Sequence, residues 1–122
     1  MFKIKALVKC PVRESKMLTK EDQRIAQKFK ERLMPFFAVL DFRVYGSRAR
    51  GDALPESDLD IFIVVKELTS EQRRRISEIA WEVGFEMDRV ISTFVATRDQ
   101  LKIGPLAASP ILQKISNEGV HL

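Results

Sequence analysis

Tyr45-Gly46-Ser47-Arg48-Ala49-Arg50-Gly51-Asp52, followed by Ser57-Asp58-Leu59-Asp60-Ile61-Phe62-Ile63-Val64-Val65, is the stretch on which the reading of the fold turns. Leu59 to Val65 is almost wholly apolar beyond Asp60, which predicts a short strand buried on both faces. The preceding run, Val39 to Tyr45, alternates and sets Leu40, Phe42 and Val44 on one face. Gly46 ends that run. Ser47 to Ser57 reads as a loop with Gly51, Asp52 and Pro55, too short for a helical crossover, so the two strands are expected to be antiparallel neighbours. Such pairing carries the Gly46–Ser47 turn to the same rim of the sheet as Asp58 and Asp60.

Upstream, Thr19 and Asp22 resemble a capping box, and Glu21 and Asp22 suit the positive end of a helix. Ile25, Phe29, Leu33 and Phe37 then recur at helical spacing, with Pro35 marking a stop near Met34. Downstream, Ser70 opens a second helix with Ile76, Ile79, Ala80 and Val83 inward, and Gly84 is expected to close it. Phe85 to Ala96 reads as a third strand, parallel to the strand of Asp60 because a helical crossover joins them. Ser109 and Pro110 begin a short helix through Ile111, Leu112 and Ile115 that Gly119 closes. At the N-terminus Phe2, Ile4, Ala6 and Val8 alternate with Lys3, Lys5 and Lys9, either an edge strand or a basic arm. The expected architecture is one α/β domain over residues 1–122, a small mixed β-sheet with helices packed mainly on one face. Residues 1–18 would be the arm or edge strand, and residues 109–122 the short helix and tail. Trp81 and the phenylalanines read most simply as core.

Composition narrows the chemistry. The chain has 122 residues, 45% hydrophobic and 31% charged, a balance typical of a globular domain. Lys and Arg number 21 against 17 Asp and Glu, and the net charge of +4 suits a phosphate-bearing partner. Cys10 and His121 are the only residues of their kinds, which excludes an internal disulfide and works against a Cys/His zinc site or a histidine-dependent triad. Carboxylates, hydroxyls and arginines must carry any catalysis. No run approaches the ~20 apolar residues of a membrane span, and the N-terminal lysines interrupt any signal peptide. A cytoplasmic protein without membrane contact is expected.

Asp58 and Asp60 stand two apart at a strand entrance and leave the same face of the sheet. Side by side they repel, and a divalent cation relieves that repulsion; hard oxygen ligands suit Mg2+ held jointly with substrate phosphates. Gly46 lets the backbone approach a ligand closely, Ser47 offers a hydroxyl, and the amides that follow can form an anion nest. Arg48 and Arg50 are candidates for neutralising phosphate charge. A metal-binding acidic pair facing an anion-binding turn is what phosphoryl or nucleotidyl transfer requires.

Gly46-Ser47, ten residues, then Asp58-Leu59-Asp60 resembles the signature of the polymerase-beta-like nucleotidyltransferase superfamily. The wording Gly46-Ser47-Arg48-Ala49-Arg50-Gly51-Asp52 with Ser57-Asp58-Leu59-Asp60, together with the ending Ile115-Ser116-Asn117-Glu118-Gly119-Val120, looks most like the minimal nucleotidyltransferases. The resemblance covers nearly the whole chain. It implies that Gly46 and Ser47 hold a nucleoside triphosphate and that Asp58 and Asp60 bind Mg2+. The implied reaction transfers a nucleoside monophosphate, typically AMP from ATP, to a hydroxyl acceptor, with nucleic acid among the candidate acceptors. The family's third carboxylate falls on the following strand. Two positions compete for it, Asp88 and Ser92, which share a strand face; if the position is Ser92, a one-metal or weakened enzyme, or a non-catalytic binder, becomes the alternative. The family also implies a separately encoded helical HEPN-type partner, in toxin–antitoxin pairs where the nucleotidyltransferase is the antitoxin, and an oligomer is among the assemblies open to it.

Overall fold

In the computed structural model, which describes residues 18–102 and 108–122, helix α1 spans Lys20–Leu33 behind an N-cap at Thr19. The Thr19 hydroxyl accepts from the Asp22 amide at 3.1 Å, and the helix stops at Met34, one residue before Pro35. Strand β1 (Val39–Tyr45), the one-turn helix α2 (Ser47–Arg50) and strand β2 (Leu59–Val65) follow. Next come helix α3 (Ser70–Met87), strand β3 (Ile91–Thr97), and helices α4 (Arg98–Lys102) and α5 (Pro110–Glu118). Strand β4 (Val120–His121) ends the series. The four strands lie in the order β3–β2–β1–β4. β1 is antiparallel to β2 and to β4, whereas β2 and β3 are parallel, so the sheet is mixed, as the loop lengths demand.

Alternation along β2 divides the interior. Leu59, Ile61, Ile63 and Val65 join Phe42 and Val44 of β1 beneath α1 and α3, where Ile25, Phe29, Leu33, Ile76, Ile79 and Val83 complete the main core. Phe62 and Val64 point to the other face, with Ala96 and Ile115, partly covered by Phe94, Leu101 and Leu112. Phe62 and Phe94 meet edge to face there at 5.4 Å. Each fully buried aliphatic side chain stabilises by about 1.5–3 kcal/mol, so most of the burial energy sits under α1 and α3. Asp60 shares the face of Phe62, away from the main helical layer. The acidic rim therefore opens on the thinly covered side of the sheet.

Several expectations change. α3 does not close at Gly84 but continues to Met87, and β3 begins only at Ile91. Gly84 is required inside the helix because a Cβ there would run into the Arg89 carbonyl, which folds back across it. The Arg89 amide donates to the Gly84 carbonyl at 2.8 Å, and Asp88 ends the helix in the left-handed conformation at φ 55°. The helix does begin at Ser70 as expected, and the Thr69 hydroxyl before it forms a reciprocal capping box with Gln72. Leu40 is exposed rather than facing the core with Phe42 and Val44, because the β1–β2 register slips between Val39 and Asp41. Trp81 is 69% and Phe85 75% exposed; the two rings stack on each other outside the core at 5.4 Å. The expected N-terminal arm or edge strand, apart from the buried Leu18, lies outside the described residues.

Candidate active site

Gly46 follows β1 at φ +78°, a backbone conformation that residues with a Cβ rarely adopt. It also faces Asp60: a Cβ at position 46 would run into Asp60 Oδ2. Register explains the approach, since Tyr45 pairs directly with Asp60 across the antiparallel ladder. What was expected as loop after Gly46 winds into α2, with the Arg50 amide donating to the Gly46 carbonyl at 3.0 Å and the Gly51 amide to the Ser47 carbonyl at 2.9 Å. The leading amides of such a turn have no acceptor within it. The Ser47 hydroxyl and the first of these amides thus stand next to a glycine that leaves no room for a Cβ beside the Asp60 carboxylate.

Asp58 is exposed and Asp60 is half-buried at the mouth of β2. Burial holds the Asp60 carboxyl above the ordinary carboxylate range; the neighbouring Asp58 charge pushes the same way, and Arg50 partly opposes both. The Tyr45 phenol is raised too, by burial and then by the negative charge of Asp60. Neighbouring carboxylates of which one, Asp60, is raised by burial and by the charge of the other are a donor set that a small divalent cation would stabilise.

The two loop arginines part company. Arg50 is exposed, bonds Asp52 and Glu118 at 3.2 Å, and still acts on Asp60 through its charge. Arg48, expected as a phosphate ligand, turns inward instead and is only 9% exposed. Its Nη2 donates to the carbonyls of Pro55 and Ser57 at 2.9 Å each, and its Nη1 lies 3.7 Å from Asp22 Oδ2. With its fork occupied by loop carbonyls, Arg48 is not placed to take phosphate oxygens. Asp22 likewise does more than cap α1. It is 1% exposed and accepts from Arg89 as well. Nothing in the local sequence signals that long-range pairing.

The third strand settles which candidate is level with the aspartates. In the parallel β2–β3 ladder Asp60 is opposite Ser92. Asp88 lies before the strand, as the exposed C-cap of α3, so of the two competing positions Ser92 is the one level with Asp60. Tyr45, Asp60 and Ser92 form one row across the rim. Among the described residues, no three acidic, histidine or cysteine side chains gather into a metal-binding group.

The nucleotidyltransferase-domain family matches this chain over residues 23–114. A protein of Methanocaldococcus jannaschii (strain ATCC 43067 / DSM 2661 / JAL-1 / JCM 10045 / NBRC 100440) that carries the name protein adenylyltransferase is 40% identical over 53 residues. That match takes in 43% of this chain and spans about half, 54%, of the relative's length. Among solved structures, the toxin–antitoxin pair MntA–HpeT, in a doubly aspartate-to-glutamate-substituted form, superposes with a TM-score of 0.51. The superposition covers 84% of this chain and 72% of that one at 18% identity, a likeness of fold. The fold is thus the mixed α/β arrangement of the polymerase-beta-like nucleotidyltransferases, as the resemblance implied. Since the matched span runs from α1 to α5 and contains both the Gly46 turn and the aspartate pair, the chain belongs to the nucleotidyltransferase-domain family.

Proposed function

We propose that the rim binds a nucleoside triphosphate with Mg2+ and transfers its nucleoside monophosphate, AMP from ATP, to a hydroxyl acceptor. The observation that carries this reading is the apposition of Gly46 to Asp60. It sets an amide-rich turn against a carboxylate pair, the juxtaposition of anion-binding and cation-binding groups that a metal–triphosphate complex needs. Asp58 and Asp60 would hold the cation, which supplies charge neutralisation at the triphosphate. Gly46 gives the close backbone approach, Ser47 a hydroxyl donor, and Arg50 an exposed positive charge at the edge of the turn. In the transfer the acceptor oxygen bonds to the α-phosphorus and the bond to the β-bridging oxygen breaks. Pyrophosphate leaves and the hydroxyl proton is released.

The similarity to a protein named as a protein adenylyltransferase, and to one half of a toxin–antitoxin pair, supports a protein hydroxyl as the acceptor. The partner in this reading is a helical HEPN-type protein, and the setting is the cytoplasm; no helix among the described residues is long and apolar enough to cross a membrane. Intact-mass measurement of proteins that co-purify with this chain tests it. An AMP adduct is expected with the wild-type chain and is expected to vanish with the double variant Asp58→Asn, Asp60→Asn. An adduct that persists in the double variant would remove the proposal.

Ser92 favours a second reading. With a hydroxyl level with Asp60, the site has two acidic donors and, among the described residues, no third gathers with them. A nucleotide-binding module that neutralises a partner by contact fits this arrangement, and partner binding would then survive loss of both aspartates.

A further inference from the structure

We propose that Arg48 is a positioning residue for the Asp58–Asp60 pair and that Asp22 is the buried anchor that fixes it. The inference rests on the reading of the rim as a metal–nucleotide site.

Arg48 leaves α2, the turn that follows β1, and reaches across to the segment that enters β2. Its Nη2 donates to Pro55 O and Ser57 O at 2.9 Å, and Nε donates to Ser57 O at 3.3 Å. The residue after Ser57 is Asp58. Within the loop the Leu54 amide donates to Ser57 Oγ at 2.9 Å, a local closure that Arg48 ties to the other side of the rim. Behind the guanidinium stands Asp22 in the first turn of α1, with Oδ2 at 3.7 Å from Arg48 Nη1 and Oδ1 accepting from Arg89 Nη1. Arg89 immediately precedes Val90, whose carbonyl accepts the Leu59 amide at 2.9 Å. One buried carboxylate therefore links three segments: the turn leaving β1, the loop entering β2 and the chain entering β3. These are the segments that carry Ser47, Asp58 and Ser92 to the rim.

A buried ionic cluster is a poor source of stability, because well-packed apolar groups of the same volume stabilise as well. Its contribution is geometric. A planar fork can hold two carbonyls at fixed angles, which a lysine ammonium cannot. Displacement of a reacting group by about 1 Å can cost on the order of 100-fold in rate, so a clamp one residue from Asp58 acts directly on the site.

The test compares wild type, Arg48→Lys and Asp22→Asn. Amide hydrogen exchange across residues 51–58 reads the clamp. Affinity for Mn2+ together with a non-hydrolysable ATP analogue reads its consequence, and thermal unfolding confirms that each variant is folded. Arg48→Lys is expected to speed exchange in that loop about tenfold and to weaken Mn2+–nucleotide binding by at least about tenfold. Asp22→Asn keeps the size of the anchor and is expected to move both readouts the same way by less; it carries the test alone if Arg48→Lys does not fold. Unchanged loop exchange in a folded variant overturns the clamp. Faster exchange with unaltered binding overturns the positioning role. A wild-type chain that binds no Mn2+–nucleotide overturns the proposed function, and the positioning role with it, while the exchange comparison still decides whether the clamp exists.

Discussion

Replacing one hydrogen of Gly46 by a methyl group probes the rim at its narrowest point. Gly46→Ala forces a side chain into a φ of +78° and against Asp60 Oδ2. It is expected to cost about 1–3 kcal/mol in urea unfolding and to weaken Mg2+–nucleotide binding at least tenfold by displacing that carboxylate. Asp60 itself predicts a stability effect of the opposite sign. Its carboxyl is raised in the fold, so the folded chain holds that proton more tightly than the unfolded chain does. Its contribution to stability is therefore lost as pH rises from the ordinary value of 3.8 through the higher folded one, and at neutral pH the ionised group is a cost. In metal-free protein at pH 7, Asp60→Asn is expected to raise the melting temperature, a gain that disappears below pH 3.8. Calorimetric scans across pH check the sign, and an unchanged or lowered melting temperature at neutral pH would contradict it. At this scale the approach of Gly46 to Asp60 was legible from the short connection between their strands. Arg48 was not: a loop arginine can point outward to phosphate or inward to carbonyls, and only the position of Asp22, far away in sequence, decides between them.

The elements place these residues, and register is where sequence pattern runs out. The strands of Asp60 and Ser92 were legible as parallel neighbours, but their alignment depends on where α3 ends. Gly84 looks like a terminator, yet it sits inside the helix to let the Arg89 carbonyl pass, which delays β3 to Ile91. That delay sets Ser92 rather than Asp88 beside Asp60. Ser92→Asp is therefore expected to add a third carboxylate to the rim and to raise divalent-cation affinity by about tenfold or more, whereas Asp88→Asn leaves that affinity unchanged. Isothermal titration with Mn2+ reads both, and an effect confined to Asp88→Asn would overturn the register-based assignment. A second element-scale prediction concerns the contact between α1 and α3, where Arg32 and Lys28 bond Glu86 at 2.7 and 3.0 Å. These partners, Arg32 foremost, hold the Glu86 carboxyl down at about 2, against an ordinary 4.5. A depressed carboxyl stabilises the fold above its unfolded value and loses that contribution as pH falls through the folded one. Glu86→Gln should thus be slightly less stable than wild type at neutral pH, with the difference closing between pH 4.5 and about 2 and shrinking in high salt. A difference that persists at pH 2 would assign the effect to packing.

Across the whole molecule, one layer holds the fold and the other face exposes the chemistry. α1 and α3 cover the Leu59–Ile61–Ile63–Val65 side, so the opposite face keeps Asp60, Ser92 and Tyr45 near its open rim. This division was legible in the pattern of β2, where an aspartate interrupts an otherwise continuous apolar run. The stacked, exposed Trp81 and Phe85 were not legible, since an aromatic at helical spacing reads as core unless the neighbouring layer is known. The charge balance acquires a local meaning as well: of the two arginines flanking the turn, Arg50 is exposed near the carboxylate pair and Arg48 is bound into the loop. The central claim is that this rim is a Mg2+-dependent nucleotide site built on two aspartates. Its most direct test is calorimetric titration of wild type and of Asp58→Asn, Asp60→Asn with a non-hydrolysable ATP analogue, each with and without Mg2+. Saturable, Mg2+-dependent binding to wild type, weakened at least about 30-fold in the double variant, is the expected result; equal affinity in the two proteins, or no binding to wild type, would contradict it.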